Sequence, residues 1–247
     1  MTTAPPEDQR RLLAVQALDT RTAQLAHRRR TLPVLARIDE FAARRADIDA
    51  ALVTSRTAVS DLRREVAKAE ADVEQVRSRE ARDQGRLDSG RESPKDLQAL
   101  TSELTALARR RSDLEDVELE VMERLEAHES ALAELTRASD VLSAQERAAT
   151  EERESEVALV DAEVAEVADK RVAAAAGLDS ELVALYEKVR AQSGGLGAAA
   201  LHAGRCEGCR MEVNPKELGA IRGAAPEQVV RCEECGRILV RLEDSGL

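Results

Sequence analysis

Aromatic residues are almost absent from this sequence. Its 247 residues include one Phe, one Tyr and no Trp. Because globular cores draw much of their packing from aromatic side chains, this scarcity excludes an ordinary globular core. Hydrophobic residues still make up 43% of the chain, supplied mainly by Ala, Leu and Val, and charged residues make up 34%. Such a composition is typical of long helices and coiled coils.

Long apolar runs are also missing. The sequence has no run of roughly eighteen apolar residues, which excludes a membrane-spanning helix. The first residues, MTTAPPED, lack the basic start and apolar stretch of a secretory signal. We therefore expect a cytoplasmic protein that does not bind a membrane.

Positive charge is in deficit. The net charge of −11 excludes non-specific wrapping of nucleic acid by a broadly basic surface. Residues 1–88 carry 17 Lys/Arg against 15 Asp/Glu, whereas residues 89–176 carry 11 against 22. Packing of a near-neutral helix against an acidic one would favour pairing of the two halves over self-pairing of the acidic half.

Two stretches carry the heptad pattern of a coiled coil. In the first stretch the apolar positions are Ile48, Leu52, Val59, Leu62, Val66, Ala69, Val73 and Val76. In the second they are Leu100, Leu104, Leu107, Leu114, Val121, Leu125, Leu132, Leu135 and Leu142. Between them, glycines in 85–93 predict a turn, and Ser93, Pro94 and Asp96 predict the capped start of a new helix.

The pattern therefore predicts an antiparallel helical hairpin over residues 1–177. With a turn centred near residue 90, residue n would lie level with about residue 180 − n. Pro33 would then face the stretch 145–156, where the heptad pattern lapses, so we expect a kink near 31–33 and 145–156. Residues 178–200 read as a short helix, capped by Asp179 and packed through Tyr186, followed by a glycine-bearing linker.

The four cysteines lie in the last segment, residues 201–247. Cys206 and Cys209 form one C-x-x-C pair, and Cys232 and Cys235 form another, with 22 residues between the pairs. Two such pairs supply the closed tetrahedron of thiolates that suits one structural Zn²⁺ ion. Two disulfides, a redox-active pair and an iron–sulfur centre are the alternatives. Short apolar stretches at 229–230 and 238–240 predict strands, and Asn214 predicts a capped helix between the cysteine pairs.

The same segment contains candidate phosphate-binding arginines. These candidates are Arg205, Arg210, Arg222, Arg231 and Arg237. They would form a nucleic-acid site only if they shared one face. Eight acidic residues and the negative charge of a four-thiolate zinc centre oppose that role, and the segment has no aromatic residues on which bases could stack.

The chain resembles the bacterial coiled-coil proteins that end in a C4-type zinc ribbon and are described as nucleic-acid-binding. The resemblance rests on the turn motif SPKDLQAL at 93–100, on LYEKVR at 185–190, and on the cysteine pairs with VRCEECGRIL at 230–239. It implies a mainly α fold, a kinked antiparallel coiled-coil hairpin with a small β zinc ribbon, and the four cysteines as ligands.

These observations give two functional hypotheses. In the first, the chain is a non-enzymatic adaptor or regulator, a monomer or dimer that docks protein partners through the hairpin and the ribbon. In the second, it is a regulatory protein that binds RNA or DNA through the zinc ribbon. The sequence contains no catalytic triad, phosphate loop or HExxH pattern, so we expect neither an enzyme nor a small-molecule substrate.

Overall fold

The structure, a computed structural model, describes residues 2–247 and is mainly helical. Its elements in chain order are α1 (Pro6–Arg30), α2 (Pro33–Asp88), α3 (Pro94–Ala175), α4 (Ser180–Gln192), β1 (Ala198–His202), β2 (Arg205–Cys206), α5 (Pro215–Gly223), β3 (Val230–Arg231) and β4 (Ile238–Arg241). The predicted fold class, a helical hairpin with a small C-terminal β ribbon, is confirmed. Within the described residues, none of the helices combines the length and the apolar character of a membrane span.

Helix boundaries follow the capping signals in the sequence. The backbone N–H of Asp96 donates to the hydroxyl oxygen of Ser93 at the start of α3. The carboxylate of Asp179 accepts from the N–H of Leu182 at the start of α4, and the side chain of Asn214 caps α5 in the same way. Each cap satisfies a backbone donor that the first turn of a helix leaves unpaired.

The chain forms two compact units: residues 36–150 make one, and residues 1–35 together with 151–247 make the other. Below, they are called the hairpin unit and the ribbon unit. The prediction divided the chain into three consecutive segments, whereas these units are defined by contacts in space, and one of them combines the two ends of the chain. The predicted segment boundaries at 177 and 200 therefore stay predictions.

In the hairpin unit, α2 and α3 run antiparallel and bury the predicted heptad positions between them. The buried members are Leu52, Val59, Leu62, Ala69 and Val73 of α2 and Leu100, Val121 and Leu142 of α3. Ion pairs join the two helices along this seam, including Arg63 with Glu129 at 2.6 Å and Arg77 with Glu115 at 2.7 Å.

The partners of these ion pairs lie beyond the level that the turn predicts. Glu129 lies twelve positions beyond residue 117, which the turn places level with Arg63, and the lean of side chains toward the N-terminus of their own helix accounts for only about two of these positions. In an antiparallel pair the two leans add, so contacting side chains come from residues whose numbers sum to more than those at one level. The position of the turn alone therefore does not give the side-chain contacts.

The two predicted kinks, near 31–33 and 145–156, differ in helical continuity. The chain leaves the helical conformation between Arg30 and Pro33, where proline cannot donate a backbone hydrogen bond. At 145–156, in contrast, α3 continues unbroken, and Ala149 there is 2% exposed. The helix is therefore not interrupted at 145–156, and a kink within it stays a prediction.

In the ribbon unit, α1 packs against the end of α3, against α4 and against a four-stranded sheet of order β2-β1-β4-β3. Strand β1 pairs with β4 in parallel and with β2 in antiparallel orientation. The predicted linker is corrected here, because residues 198–202 form β1. Alanine is uncommon in strands, but Ala198 and Ala199 are small enough to be buried on both faces of the sheet.

Candidate metal centre

The four cysteines converge on one point of the ribbon unit. Their sulfur atoms all lie within 4.8 Å of one another. The Sγ atoms of Cys206 and Cys235 are 3.8 Å apart, and those of Cys209 and Cys232 are 3.9 Å apart. A tetrahedron with Zn–S bonds of about 2.3 Å has S···S edges of about 3.8 Å. The distances fit one zinc ion and are far above the bond length of about 2.05 Å in a disulfide.

The two cysteine pairs have the same backbone hydrogen bonds. In the first pair, the carbonyl of Cys206 accepts from Arg210 N–H at 2.7 Å, and its N–H donates to Met211 at 3.0 Å. In the second pair, the carbonyl of Cys232 accepts from Gly236 N–H at 2.8 Å, and its N–H donates to Arg237 at 3.0 Å. Each pair is thus a tight loop that aims both thiols inward.

Both loops need a residue with positive φ at the equivalent position. Gly236 has φ +70°, which glycine adopts without steric cost. The equivalent residue of the first loop is Arg210 at φ +63°, a conformation that costs energy in a residue with a Cβ atom. The sequence predicts the glycine turn but gives no sign that an arginine occupies the same conformation.

The protein environment shifts the pKa values of three thiols, two upward and one downward. Burial raises the pKa of Cys206 and raises that of Cys232 to about 12. Burial also opposes ionisation of Cys235, but hydrogen bonds from the backbone and the side chain of Arg237 outweigh it and lower the pKa to about 7. Because zinc binds thiolates, metal binding here must displace protons, most strongly from Cys232.

Neighbouring side chains hold the second loop in place. The carboxylate of Glu217, 8% exposed in α5, accepts from the backbone N–H of Glu233 at 3.1 Å. Arg237 donates to the carbonyls of Leu196 and Ser193 at 3.1 and 3.0 Å. No sequence pattern assigns Glu217 to the site, because an acid in a short helix is typical of a solvated position.

The five predicted phosphate-binding arginines have different roles in the structure. Arg237 is partly buried and bonded to backbone, and it lies against the metal centre. Arg205 and Arg231 are exposed but donate to the carbonyls of Arg210 and Gly236. The side chains of Arg210 and Arg222 are exposed. Nucleic-acid binding by the five arginines stays a prediction, and the backbone hydrogen bonds of Arg205, Arg231 and Arg237 compete with it.

A second cluster of polar residues joins the helices of the ribbon unit to its sheet. Tyr186 is fully buried, and its hydroxyl donates to Asp19 Oδ2 at 2.7 Å. Gln16 Oε1 accepts from Gly197 N–H at 2.7 Å. The tyrosine was predicted as a packing residue, whereas its buried partners in α1 read from sequence as a solvated helix face. The ring lies so close to Gly197 that a Cβ atom there would be 2.7 Å from it.

The four-thiolate set suits a structural ion, because it leaves no open coordination position for water or substrate. His202 is not part of it: its Nδ1 lies 2.8 Å from a carboxylate oxygen of Asp244 on the surface. One structural zinc ion is thus the cofactor that this donor set fits, as the spacing of the cysteines predicts.

Comparison with known proteins agrees with this geometry. Residues 15–194 match the CT398-like coiled coil hairpin domain, and residues 205–239 match the C4-type zinc ribbon domain. The Mycobacterium tuberculosis protein Rv2229c is 38% identical over 95% of this chain and 96% of its own length. The Mycobacterium leprae protein ML1638 is 32% identical over 93% of this chain and 97% of its own.

Solved structures show the same fold. A structure from Mycobacterium smegmatis superposes with a TM-score of 0.86 at 36% identity, covering 98% of this chain and all of that one. CT398 from Chlamydia trachomatis has a TM-score of 0.69 at 19% identity, covering 96% of this chain and 98% of that one. The second likeness bears on the fold alone.

Proposed function

Because this chain belongs to the family of the CT398-like coiled coil hairpin domain and carries a C4-type zinc ribbon, we propose that it is a non-enzymatic adaptor or regulator. It docks protein partners through the hairpin and through the ribbon. Cys206, Cys209, Cys232 and Cys235 hold one structural zinc ion, whose binding supplies much of the folding energy of the small ribbon.

One observation carries the adaptor role. Leu119 and Met122 of α3 are 58% and 45% exposed, although other residues already fill the seam of the hairpin. Single exposed apolar residues are common on protein surfaces, but exposed apolar residues that form a contiguous patch often mark an interaction site. Because these two residues are three positions apart, they lie on one face of α3, which supports a surface that a protein partner covers.

Affinity capture tests the proposal. The intact chain and a Cys232→Ser/Cys235→Ser variant are used as baits, each with and without nuclease. We expect a discrete protein partner that survives nuclease and high salt. Loss of every partner on nuclease treatment would contradict the adaptor role. Dependence of a partner on the cysteines would map that partner to the ribbon, and independence would map it to the hairpin.

Nucleic-acid binding through the ribbon is the second candidate. The observation that favours it is the exposure of Arg205, Arg210, Arg222 and Arg231 in the segment that carries the cysteines. Residues 201–247 contain eight acidic residues, which nearly equal the Lys and Arg residues in number, and this balance of charge weakens the second candidate. Binding of labelled RNA and DNA that falls steeply with rising salt, and that is lost on arginine-to-glutamine substitution, would favour this candidate.

A further inference from the structure

A shallow apolar groove rimmed by acids lies on one face of the hairpin unit. Its volume is about 390 Å³. It is lined by Val66 of α2 and by Leu119, Met122, Glu123, Leu125, Glu126 and Glu129 of α3. The floor is thus aliphatic and the rim carries three carboxylates.

The groove follows from the spacing of residues in α3. Leu119, Met122 and Glu126 are three and four positions apart, so they lie on one face of the helix. This face is not the seam, because the seam residue Val121 is only 9% exposed whereas Leu119 is 58% exposed. Val66 and Leu125 are half-buried heptad positions at the edge of the seam, whereas Leu119 and Met122 lie outside it, so the exposure of Leu119 and Met122 needs another explanation.

The rim has negative charge that the chain does not neutralise. Glu129 pairs with Arg63 of α2, but Glu123 and Glu126 make no ion pair with any residue that the structure describes. Residues 113–129 contain eight acids and a single arginine, Arg124. A partner covering the groove must therefore bring positive charge, since carboxylates buried without a counterion are strongly unfavourable.

A second copy of the chain fits this requirement poorly. The neighbouring groove on the hairpin is basic and includes Arg56, Arg63 and Arg64. Two of these arginines are already neutralised, Arg63 by Glu129 and Arg64 by Asp61. Two copies that each carry a net charge of −11 also repel each other.

We propose that this groove binds a basic amphipathic helix of a protein partner. Apolar residues on one stripe of that helix pack on Leu119, Met122 and Val66, while flanking Lys or Arg side chains pair with Glu123 and Glu126. This is the helix-in-groove mode of recognition, in which apolar anchors at helical spacing supply affinity and rim charges supply orientation. The inference rests on the proposed adaptor role and assigns that role's hairpin surface.

Peptide binding tests the chemistry of the groove. The probe is a stapled helical peptide with a leucine stripe flanked by lysine and arginine. A second peptide has the same composition with the stripe scrambled, and a third replaces the basic residues with glutamate. Fluorescence anisotropy with the full-length chain should show binding of the first peptide only. Equal binding of all three peptides, or of none, would overturn the proposal.

Matched variants locate the binding. Leu119→Ser/Met122→Ser should weaken binding of the basic peptide by about tenfold or more, because it removes the two most exposed of the four apolar lining residues. Glu123→Lys/Glu126→Lys should lower the affinity for the basic peptide by a similar factor at low ionic strength and by a smaller factor at high ionic strength.

The controls are Val53→Ser, an equally exposed apolar residue outside the groove, and Glu70→Lys, an exposed acid on α2. Each should leave the affinity within about twofold, since neither lines the groove. Unchanged helicity of all variants by circular dichroism shows that the fold persists. Equal losses in groove and control variants would overturn the proposal.

Photo-crosslinking separates failure of the groove from failure of the adaptor role. A benzophenone side chain at Met122 should crosslink a basic helical segment of a cellular protein, and the same group at Val53 should not. A partner captured equally well by wild type and by Leu119→Ser/Met122→Ser would leave the adaptor role standing and refute the groove. Crosslinking of Met122 to a second copy, with sedimentation as a dimer, would also refute it.

Discussion

Substitution of Asp19 by asparagine tests the physical account of the ribbon unit most directly. Asp19 is 7% exposed. It accepts from Arg171 Nε at 2.7 Å and from Tyr186 at 2.7 Å, and Arg190 lies 3.6 Å away. Asp19→Asn keeps the shape and one acceptor oxygen but removes the charge that faces both arginines.

The expected cost follows from these contacts. A hydrogen bond to a charged group contributes about 1.5–3 kcal/mol, and loss of one partner of a buried ion pair costs more than loss of an exposed one. The Arg171 and Arg190 side chains are 27% and 35% exposed, so water screens part of the interaction. We therefore expect Asp19→Asn to lower the free energy of unfolding by about 2–3 kcal/mol at neutral pH.

The pH dependence has a defined sign. Burial opposes ionisation of Asp19, but hydrogen bonds from Arg171 and Tyr186 outweigh it and hold its pKa below the ordinary value of 3.8. A carboxyl whose pKa is lower in the folded state contributes stability above its unfolded pKa and loses it as pH falls through the folded pKa. The difference between wild type and Asp19→Asn should therefore be constant above about pH 4 and shrink below it.

The measurement has an intrinsic reporter. Tyr186 is the single tyrosine and the chain has no tryptophan, so tyrosine fluorescence during urea unfolding reports on this cluster. The control is Glu163→Gln in the same unit, which breaks the exposed pairs with Arg21 and Arg28. That change should cost less than about 1 kcal/mol. Equal costs for the two variants, or a cost of Asp19→Asn that grows below pH 4, would refute the reasoning.

Three further predictions concern packing, metal binding and the seam. Gly197→Ala should destabilise the ribbon unit by about 1–3 kcal/mol, because its Cβ atom would meet the neighbouring aromatic ring. Gly219→Ala should be tolerated, because a Cβ atom there would have no atom within 4 Å. Tyrosine fluorescence during unfolding compares the stabilities of the two variants. The chain should hold about one equivalent of zinc by metal analysis, Cys232→Ser should hold markedly less, and zinc affinity against a chromophoric chelator should fall as pH falls, because the thiols must lose protons. Arg45→Ala should lower the melting temperature followed by circular dichroism more than Arg63→Ala, because Arg45 is more buried and also bonds two serines of α3; the reverse order would contradict this view of the seam.

Sequence patterns predicted those parts of the structure that depend on local signals. Heptad positions such as Leu62 and Val121 are buried because a period of 3.5 residues keeps one stripe of a helix on its partner. Ser93 and Asp179 cap helices because their short side chains reach backbone donors three residues on. Paired C-x-x-C motifs indicated the metal centre because two thiols at that spacing already lie close together.

Features that depend on distant partners could not be predicted in the same way. Gln16 and Asp19 are polar residues in a charged helix, and nothing in their surroundings along the chain indicates burial. They are buried because residues such as Tyr186 and Gly197, more than 160 positions away, supply their hydrogen-bond partners. Strand β1 was missed for a related reason: three alanines have little strand propensity, and only the pairing of Ala198 with Ile238 makes them a strand.

The parallel pairing of β1 with β4 has a consequence for the order in which the ribbon assembles. Parallel neighbours need a long crossover, and here the chain between them passes through both cysteine pairs. Without metal, the ends of that crossover must find each other at the full entropic cost of closing the loop. Once zinc joins Cys209 to Cys232, the 22 residues between them no longer separate the strands, so β1 and β4 become near neighbours along the shortened path. Zinc binding should therefore increase the rate at which β1 pairs with β4, because it turns a slow non-local contact into a nearly local one.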